Sequence, residues 1–378
     1  MSTMNFIKHL ALIVFFLCFT VSSAQEYTSK TLENDGLTRE YSIYIPSSYD
    51  GATRFPLLFN FHPGNDTVAS WQSYSDMRPL AEAHNFILVY PQARPDPNDG
   101  NSLNWLPKSD GAFDDVPFVS ALIDVIAADY QIDLDRVYAC GYSLGGEFSY
   151  ELACKLNNRI AAIGAGARTM QANPESYCKP VHPTGIITIL GTDDYISPYN
   201  GLIYLGVEYY LSAEAMHSYW ANQNNCEIAP TMSTVSPSVE RYTWATASGC
   251  IYVEELKVIG GGHDWPGVNG NMTINADEEI WQFVSRYDIN GLIECSTASM
   301  DDTSKDTFRL YPNPVTSELT IQIDVSDEKE YKIYSTAGEV LLSGNLNFNS
   351  NTIDVSSLPS SIYFLKINSH VLKFVRTE

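Results

Sequence analysis

The chain has 378 residues, 44% of them hydrophobic and 12% aromatic, enough apolar material for one large core and a second small one. Its 45 acidic residues face 22 basic ones for a formal charge of -23, so it lacks the clustered Lys and Arg that neutralise phosphates, and nucleic acid is excluded as a partner. The apolar fraction excludes general disorder, and the single long apolar run, at the very start, excludes a multi-span membrane protein.

That first run reads as a secretory signal peptide over residues 1–24. Lys8 supplies the basic flank, residues 10–21 the apolar stretch, and Ser22-Ser23-Ala24 the small residues a signal peptidase reads, with the cut before Gln25. The run is shorter than the ~20 residues a span needs, so no membrane span is expected after cleavage. Six cysteines remain: Cys140, Cys154, Cys178, Cys226, Cys250 and Cys295. An even number in an exported chain points to disulfides. Short local loops favour Cys154–Cys178 and Cys226–Cys250, leaving Cys140 as a buried strand residue and Cys295 free.

Residues 41–45 (YSIYI) alternate as a half-exposed strand does. Residues 56–61 (PLLFNF), 86–90 (FILVY), 137–140 and 185–190 (GIITIL) are nearly continuous apolar runs that suit parallel strands buried on both faces. Helical patterns lie between them. Phe118, Leu122, Val125 and Ile126 share one helical face, and Asn275 with Glu278 three residues on opens a helix through Ile280, Phe283 and Val284. This alternation over residues 25–292 predicts an α/β domain with a doubly wound, mostly parallel sheet. Residues 293–307 are polar and read as a linker. From 308 to 378 the period changes to two: Leu319, Ile321 and Ile323 alternate with polar residues, as do Tyr331 with Ile333, and Tyr363, Leu365 and Ile367, with a turn at Ala337-Gly338. That predicts a small all-β, sandwich-like C-terminal domain.

Residues 140–146 (CGYSLGG) contain G-x-S-x-G between a short apolar strand and a helix with Phe148, Leu152 and Leu156 in line. A serine on a sharp strand-to-helix turn needs glycine neighbours, because side chains there would collide. The turn exposes the hydroxyl of Ser143 and aims the N–H of Leu144 at a developing oxyanion. A serine nucleophile needs a base, and in this setting the chain order is Ser, acid, His. Of the histidines after the serine, His217 lies in a helical stretch, His182 precedes any suitable acid, and His370 is in the β tail. His263, in the Gly-rich run 260–267 (GGGHDWPG) after a strand, is the candidate base. Asp193 and Asp194 both end the strand before it, and spacing does not choose between them. The second oxyanion donor belongs after an early strand, where residues 61–65 read FHPGN. Pro63 has no N–H, so Gly64 or Asn65 must donate, and His62 is read as a structural loop residue. Trp71, Trp105 and Trp265 are candidate walls of a substrate pocket. No H-E-x-x-H or phosphate-binding G-x-x-x-x-G-K occurs, so neither metal nor organic cofactor is expected.

FHPGN, NWLP, GYSLGG, GTDDYISPYNG and GGGHDWPG together resemble the secreted esterases grouped with polyhydroxybutyrate depolymerases and feruloyl esterases, over about residues 30–290. The resemblance implies an α/β-hydrolase fold and ester hydrolysis through an acyl-enzyme. It assigns the acid to Asp194 beside Ser143 and His263. Its expected substrates are feruloyl or acetyl esters of plant polysaccharide, or polyhydroxyalkanoate-type polyesters. This chain departs from the family at His62-Pro63-Gly64, where His-Gly is usual. Two other readings stand beside it: a serine peptidase on the same fold, with Arg168 as the anchor for a peptide terminus, and a binding protein on an inactive scaffold. The tail, with LYPNP at 310–314, YKIYSTAGEVLLSG at 331–344 and a basic end, resembles the type A sorting domain of the type IX secretion system. That implies the type IX machinery as a partner and an extracellular or cell-surface location.

Overall fold

The computed structural model describes residues 26–97, 100–105, 114–293, 295, 309–322, 329–335, 339–346, 352–367 and 370–377. The segment read as a signal peptide, the linker apart from 293 and 295, Ile323 and the turn at Ala337-Gly338 lie outside the described residues.

Ten strands form one sheet: β1 (Thr28–Asn34), β2 (Leu37–Tyr44), β3 (Phe55–Phe61), β4 (Ile87–Pro91), β5 (Ile132–Tyr142), β6 (Ala162–Gly166), β7 (Gly185–Gly191), β8 (Thr231–Ser236), β9 (Val239–Ala245) and β10 (Ile251–Val258). Their spatial order is β1-β2-β4-β3-β5-β6-β7-β10-β9-β8. The six central strands, from β4 through β10, are mutually parallel, and antiparallel pairs close both ends. Alternation of side chains builds two cores. Leu57 and Phe59 face one with Phe118, Phe148 and Trp220 from α3 (Val116–Asp129), α4 (Leu144–Lys155) and α5 (Ala213–Gln223). Leu58 and Ile187 face the other with Trp71, Ala81 and Ile280, from α1 (Val68–Tyr74), α2 (Arg78–His84) and α6 (Ala276–Val284). The Asn275 side chain caps α6 by accepting the Glu278 N–H at 3.2 Å.

Both faces of the central strands are covered, which explains their unbroken apolar runs. The chain runs from β3 to β4 on one side and returns to β5 on the other. This reversal opens a crevice at the carboxyl ends of β3 and β5, the general location of ligand sites in such sheets. The fold is the expected α/β-hydrolase architecture. The sequence reading passed over β1, β6, β8 and β9. Nearly every residue of β8 is exposed, so this edge strand has no buried alternate face to mark it.

The C-terminal residues form two antiparallel sheets. One joins β11 (Arg309–Tyr311), β12 (Glu318–Gln322) and β15 (Thr352–Asp354); the other joins β13 (Lys329–Tyr334), β14 (Val340–Leu346), β16 (Ser361–Ile367) and β17 (His370–Arg376). Leu319, Ile321, Ile333, Leu365 and Phe374 fill the space between them, as the two-residue period requires.

Among the described residues there are two disulfides, Cys154–Cys178 and Cys250–Cys295. The second corrects the expected Cys226–Cys250 pair. Cys250 sits just before β10, and the hairpin made by Tyr287–Asp288 and Gly291–Leu292 brings Cys295 to a Cα separation of 5.5 Å, within bridging range. Cys226 and Cys140 are buried free thiols.

Candidate active site

Ser143 is the single residue between β5 and α4. Its φ of 54° and ψ of -118° are an unfavourable conformation for a residue with a side chain. The surroundings hold it there: its N–H donates to the Gly166 carbonyl at 2.9 Å, and its carbonyl accepts the Glu147 N–H at 3.0 Å. The two flanking glycines are required by close approach. A Cβ on Gly145 would lie 2.2 Å from the Phe61 carbonyl oxygen, and one on Gly141 would lie 2.5 Å from the Gly145 carbonyl carbon. The turn bearing Ser143 is thus pressed backbone to backbone against the end of β3.

His263 and Asp194 meet at this turn. The acid follows β7 and the histidine follows β10, parallel neighbours in the sheet. The Asp193 N–H donates to the Gly261 carbonyl at 2.8 Å, and the Gly260 N–H to the Thr192 hydroxyl at 2.8 Å, lacing the two loops together. Asp194 Oδ2 lies 2.7 Å from His263 Nδ1, while its Oδ1 accepts the N–H groups of Ile196 and Ser197, each at 2.8 Å. A carboxylate only accepts, so Nδ1 carries the proton and Nε2 is left as an acceptor. Nε2 lies 3.0 Å from Ser143 Oγ. Asp193 instead accepts from Thr192. Of the two aspartates, only Asp194 is placed against the imidazole.

On the opposite side of the serine, Gly64 lies against Leu144: a Cβ on Gly64 would be 2.6 Å from Leu144 Cδ1. The Asn65 N–H is already engaged by the Leu103 carbonyl at 3.0 Å and Asn104 Oδ1 at 3.2 Å. Of the two expected donors, Asn65 therefore has its N–H occupied, while Gly64 packs against Leu144, the residue that follows the serine. His62 holds this loop from behind. Its Nδ1 donates to the Pro63 carbonyl at 2.7 Å and its Nε2 accepts the Ala93 N–H at 3.1 Å. Burial lowers its pKa to about 4, so it is neutral at physiological pH and serves as a brace.

The three tryptophans do not wall a pocket, contrary to the expectation. Trp71, Trp105 and Trp265 are 1%, 3% and 0% exposed. A buried indole N–H needs an acceptor, and each finds one inside: Asn60 Oδ1 at 2.9 Å, the His62 carbonyl at 2.8 Å and Asp277 Oδ1 at 3.1 Å, respectively. Trp265 packs over Gly166, where a Cβ would be 2.5 Å from its ring. These residues support the site from beneath.

The sequence reading missed the polar network that joins Trp71 to Trp265. Asn60 Nδ2 donates to the Ser75 hydroxyl at 2.9 Å, and Ser75 donates to Asp277 at 2.6 Å. Burial raises the Asp277 carboxyl to a pKa of about 6. It also missed Tyr142, whose hydroxyl donates to the His263 carbonyl at 2.6 Å and whose ring stacks on Trp71. Tyr142 occupies a variable position of G-x-S-x-G, and the network's members are scattered over some 200 residues, so no local pattern marks them. A separate cavity of about 590 Å³ lies beyond the Gly64 loop, lined by Leu37, Arg39, Thr67, Gln92, Pro95 and Leu103 among others, and no triad residue lines it.

Residues 39–177 match the family model described as Esterase PHB depolymerase, and residues 309–377 match that of the Secretion system C-terminal sorting domain. The chain is 29% identical over 268 residues to the bifunctional acetylxylan esterase/xylanase XynS20E of Neocallimastix patriciarum, covering 69% of this chain and 35% of that protein. It is 28% identical over 258 residues to feruloyl esterase B of Piromyces equi, covering 66% and 46%. The chain thus spans less than half the length of these two relatives. Poly(3-hydroxyalkanoate) depolymerase C of Paucimonas lemoignei is 23% identical over 279 residues, with 66% of this chain and 65% of that protein covered. Among solved structures, an acetyl xylan esterase from Aspergillus awamori superposes with a TM-score of 0.50 at 14% identity, over 68% of this chain and 99% of that one, a likeness of fold. Among the described residues no helix is long and apolar enough to cross a membrane. Residues 39–177 are thus similar to an Esterase PHB depolymerase domain, on a chain of α/β-hydrolase fold, and residues 309–377 to a C-terminal sorting domain of the kind that marks proteins for type IX secretion to the cell surface or beyond.

Proposed function

We propose that the protein is an exported serine esterase that works through an acyl-enzyme. The observation that carries this reading is the unbroken hydrogen-bonded chain from Asp194 through His263 to Ser143. Ser143 Oγ attacks the ester carbonyl while His263 Nε2 takes its proton. The tetrahedral oxyanion is met by the N–H groups of Leu144, at the start of α4, and Gly64. His263 then gives the proton to the departing alcohol, leaving the acyl group on Ser143. Water, deprotonated by the same imidazole, attacks the acyl carbonyl; the carboxylic acid leaves and the proton returns to Ser143. Asp194 holds the ring and stabilises the imidazolium throughout.

The names of the relatives support carboxylic esters as the substrate class: feruloyl or acetyl esters on plant polysaccharide, or a polyhydroxyalkanoate. The peptidase reading loses its anchor, because Arg168 Nη2 is paired with Glu147 at 2.6 Å, both buried. In this reading residues 1–24 direct export and are removed, residues 25–292 are the catalytic domain, 293–307 a linker, and 308–378 engage the type IX machinery. Initial rates on a p-nitrophenyl ester chain-length series and on methyl ferulate test the reading. A preference for ferulate over short acyl esters points to cell-wall chemistry. Equal rates with wild type and Ser143→Ala would remove the serine from the mechanism.

A further inference from the structure

Directly after Asp194 the chain displays apolar side chains to water. Tyr195 is 84% exposed and Ile196 51%. A hairpin follows, pairing Leu202–Tyr204 with Val207–Tyr210. Ile203, Tyr204, Leu205, Val207 and Tyr209 of this hairpin are all at least half exposed. Residues 195–209 carry a single charge, Glu208, in a chain of net charge -23. Scattered exposed apolar residues are ordinary, but such a concentration marks an interaction surface.

The turn sharpens the point. Leu205 and Gly206 both have positive φ, 50° and 77°. Two-residue hairpin turns of this kind favour Asn-Gly, because a residue with a branched apolar side chain is strained there. Leu205 is strained and also 86% exposed, so it gains neither backbone comfort nor burial within the molecule.

The base of the hairpin, by contrast, is pinned beside the nucleophile. Tyr210 bridges to Gln171, and the Leu211 N–H donates to the Met170 carbonyl at 3.0 Å. The Arg168 guanidinium stacks on the Tyr210 ring at 3.9 Å and pairs with Glu147 in the first turn of α4. The Glu147 N–H in turn holds the Ser143 carbonyl. A rigid stem therefore fixes a largely apolar hairpin at the end of the sheet that carries the triad.

We propose that this hairpin is an interfacial docking element, which seats the enzyme on the surface of a water-insoluble apolar ester. The inference rests on the esterase reading above. The side chains favour this occupant over polysaccharide, because four of the seven are aliphatic and offer a sugar no hydrogen bond, and no Trp is among them. Continuity with the acid loop favours it over a second copy of the chain, since the patch begins one residue after Asp194.

The test uses emulsified tributyrin droplets as the insoluble ester and dissolved p-nitrophenyl acetate as the soluble one. The variant is Ile203→Thr/Leu205→Asn/Val207→Thr, which keeps strand-forming residues and places Asn where the turn prefers it, so folding is preserved. Wild type is expected to adsorb to droplets, as is Ser143→Ala, which reads adsorption without turnover. The triple variant is expected to lose about tenfold in adsorption and in emulsion hydrolysis, with its rate on dissolved ester unchanged. Equal adsorption by wild type and variant, or none by either, overturns the proposal. So does adsorption to insoluble arabinoxylan that the variant loses, or a wild-type dimer that the variant dissociates. Absence of turnover on p-nitrophenyl acetate would count against the esterase reading alone, since adsorption of Ser143→Ala still reports on the hairpin.

Discussion

Gly191 and Gly261 touch backbone to backbone: a methyl group on Gly191 would sit 2.3 Å from the Gly261 carbonyl oxygen. These two glycines let the loop bearing the acid and the loop bearing the base close on one another. Neither loop can retreat easily, because the Thr192 N–H also donates to the Val258 carbonyl at 3.0 Å. Gly191→Ala must therefore push Asp194 away from His263. A displacement of this kind costs on the order of 10²-fold in rate. The expected result is a fall of that size in kcat with a smaller change in KM, measured on p-nitrophenyl acetate. A variant with wild-type kcat would show that the two loops are not held in register by this contact.

The two adjacent aspartates should behave very differently. Asp194→Asn removes the acceptor that fixes the His263 tautomer, and kcat is expected to fall about 10⁴-fold. Asp193→Asn alters only a contact with Thr192, and its kcat should stay within about threefold of wild type, as a surface change predicts. Steady-state rates for the pair decide the acid; comparable losses in both variants would mean that the acid role is shared or misplaced.

Asp277 makes the domain sensitive to pH. Burial raises its carboxyl to about 6 from an ordinary 3.8, so the folded state holds the proton more tightly than the unfolded state. The stabilising contribution is full below about pH 4 and is lost as pH rises through 6. Asn at this position still accepts from Ser75 and Trp265 but cannot ionise. The decline in Tm between pH 4 and pH 8 is expected to be smaller in Asp277→Asn than in wild type, by roughly 5 °C. Parallel Tm curves for the two proteins would place the proton elsewhere.

The disulfide pairing has a direct chemical signature. Peptide mapping without reduction should recover a Cys250–Cys295 crosslink and a Cys154–Cys178 crosslink, with Cys226 alkylated only after unfolding. Cys250→Ser and Cys295→Ser should each destabilise by about 2–4 kcal/mol, and the double variant by no more than either, because both remove one bond. A Cys226–Cys250 peptide in the native protein would contradict this.

Much of this arrangement is legible in the sequence, because the strongest constraints are local. Continuous apolar runs mark β3, β4 and β7, since both their faces are covered. The glycines around Ser143 are dictated by contacts with residues 141–145 and the end of β3, so a short motif records them. Asp194 and His263, the proposed partners of Ser143, are readable because each stands just beyond a strand's carboxyl end. What escapes is set by distant packing. Trp71, Trp105 and Trp265 look like pocket walls in a list of aromatics, yet buried acceptors far away in sequence draw them inward. Cys226 is nearer to Cys250 in sequence, yet the chain's return through Tyr287 to Leu292 delivers Cys295 instead. The Asn65 N–H is occupied by the Leu103 carbonyl, a contact that no motif around residue 64 encodes.

The central claim is that Ser143 is the nucleophile activated by His263. The most direct measurement is labelling with a fluorophosphonate, followed by peptide mapping and residual turnover on p-nitrophenyl acetate. The account predicts one adduct, on Ser143, appearing in step with loss of turnover and greatly slowed in His263→Ala. An adduct on another residue, or turnover that survives full modification of Ser143, would contradict it.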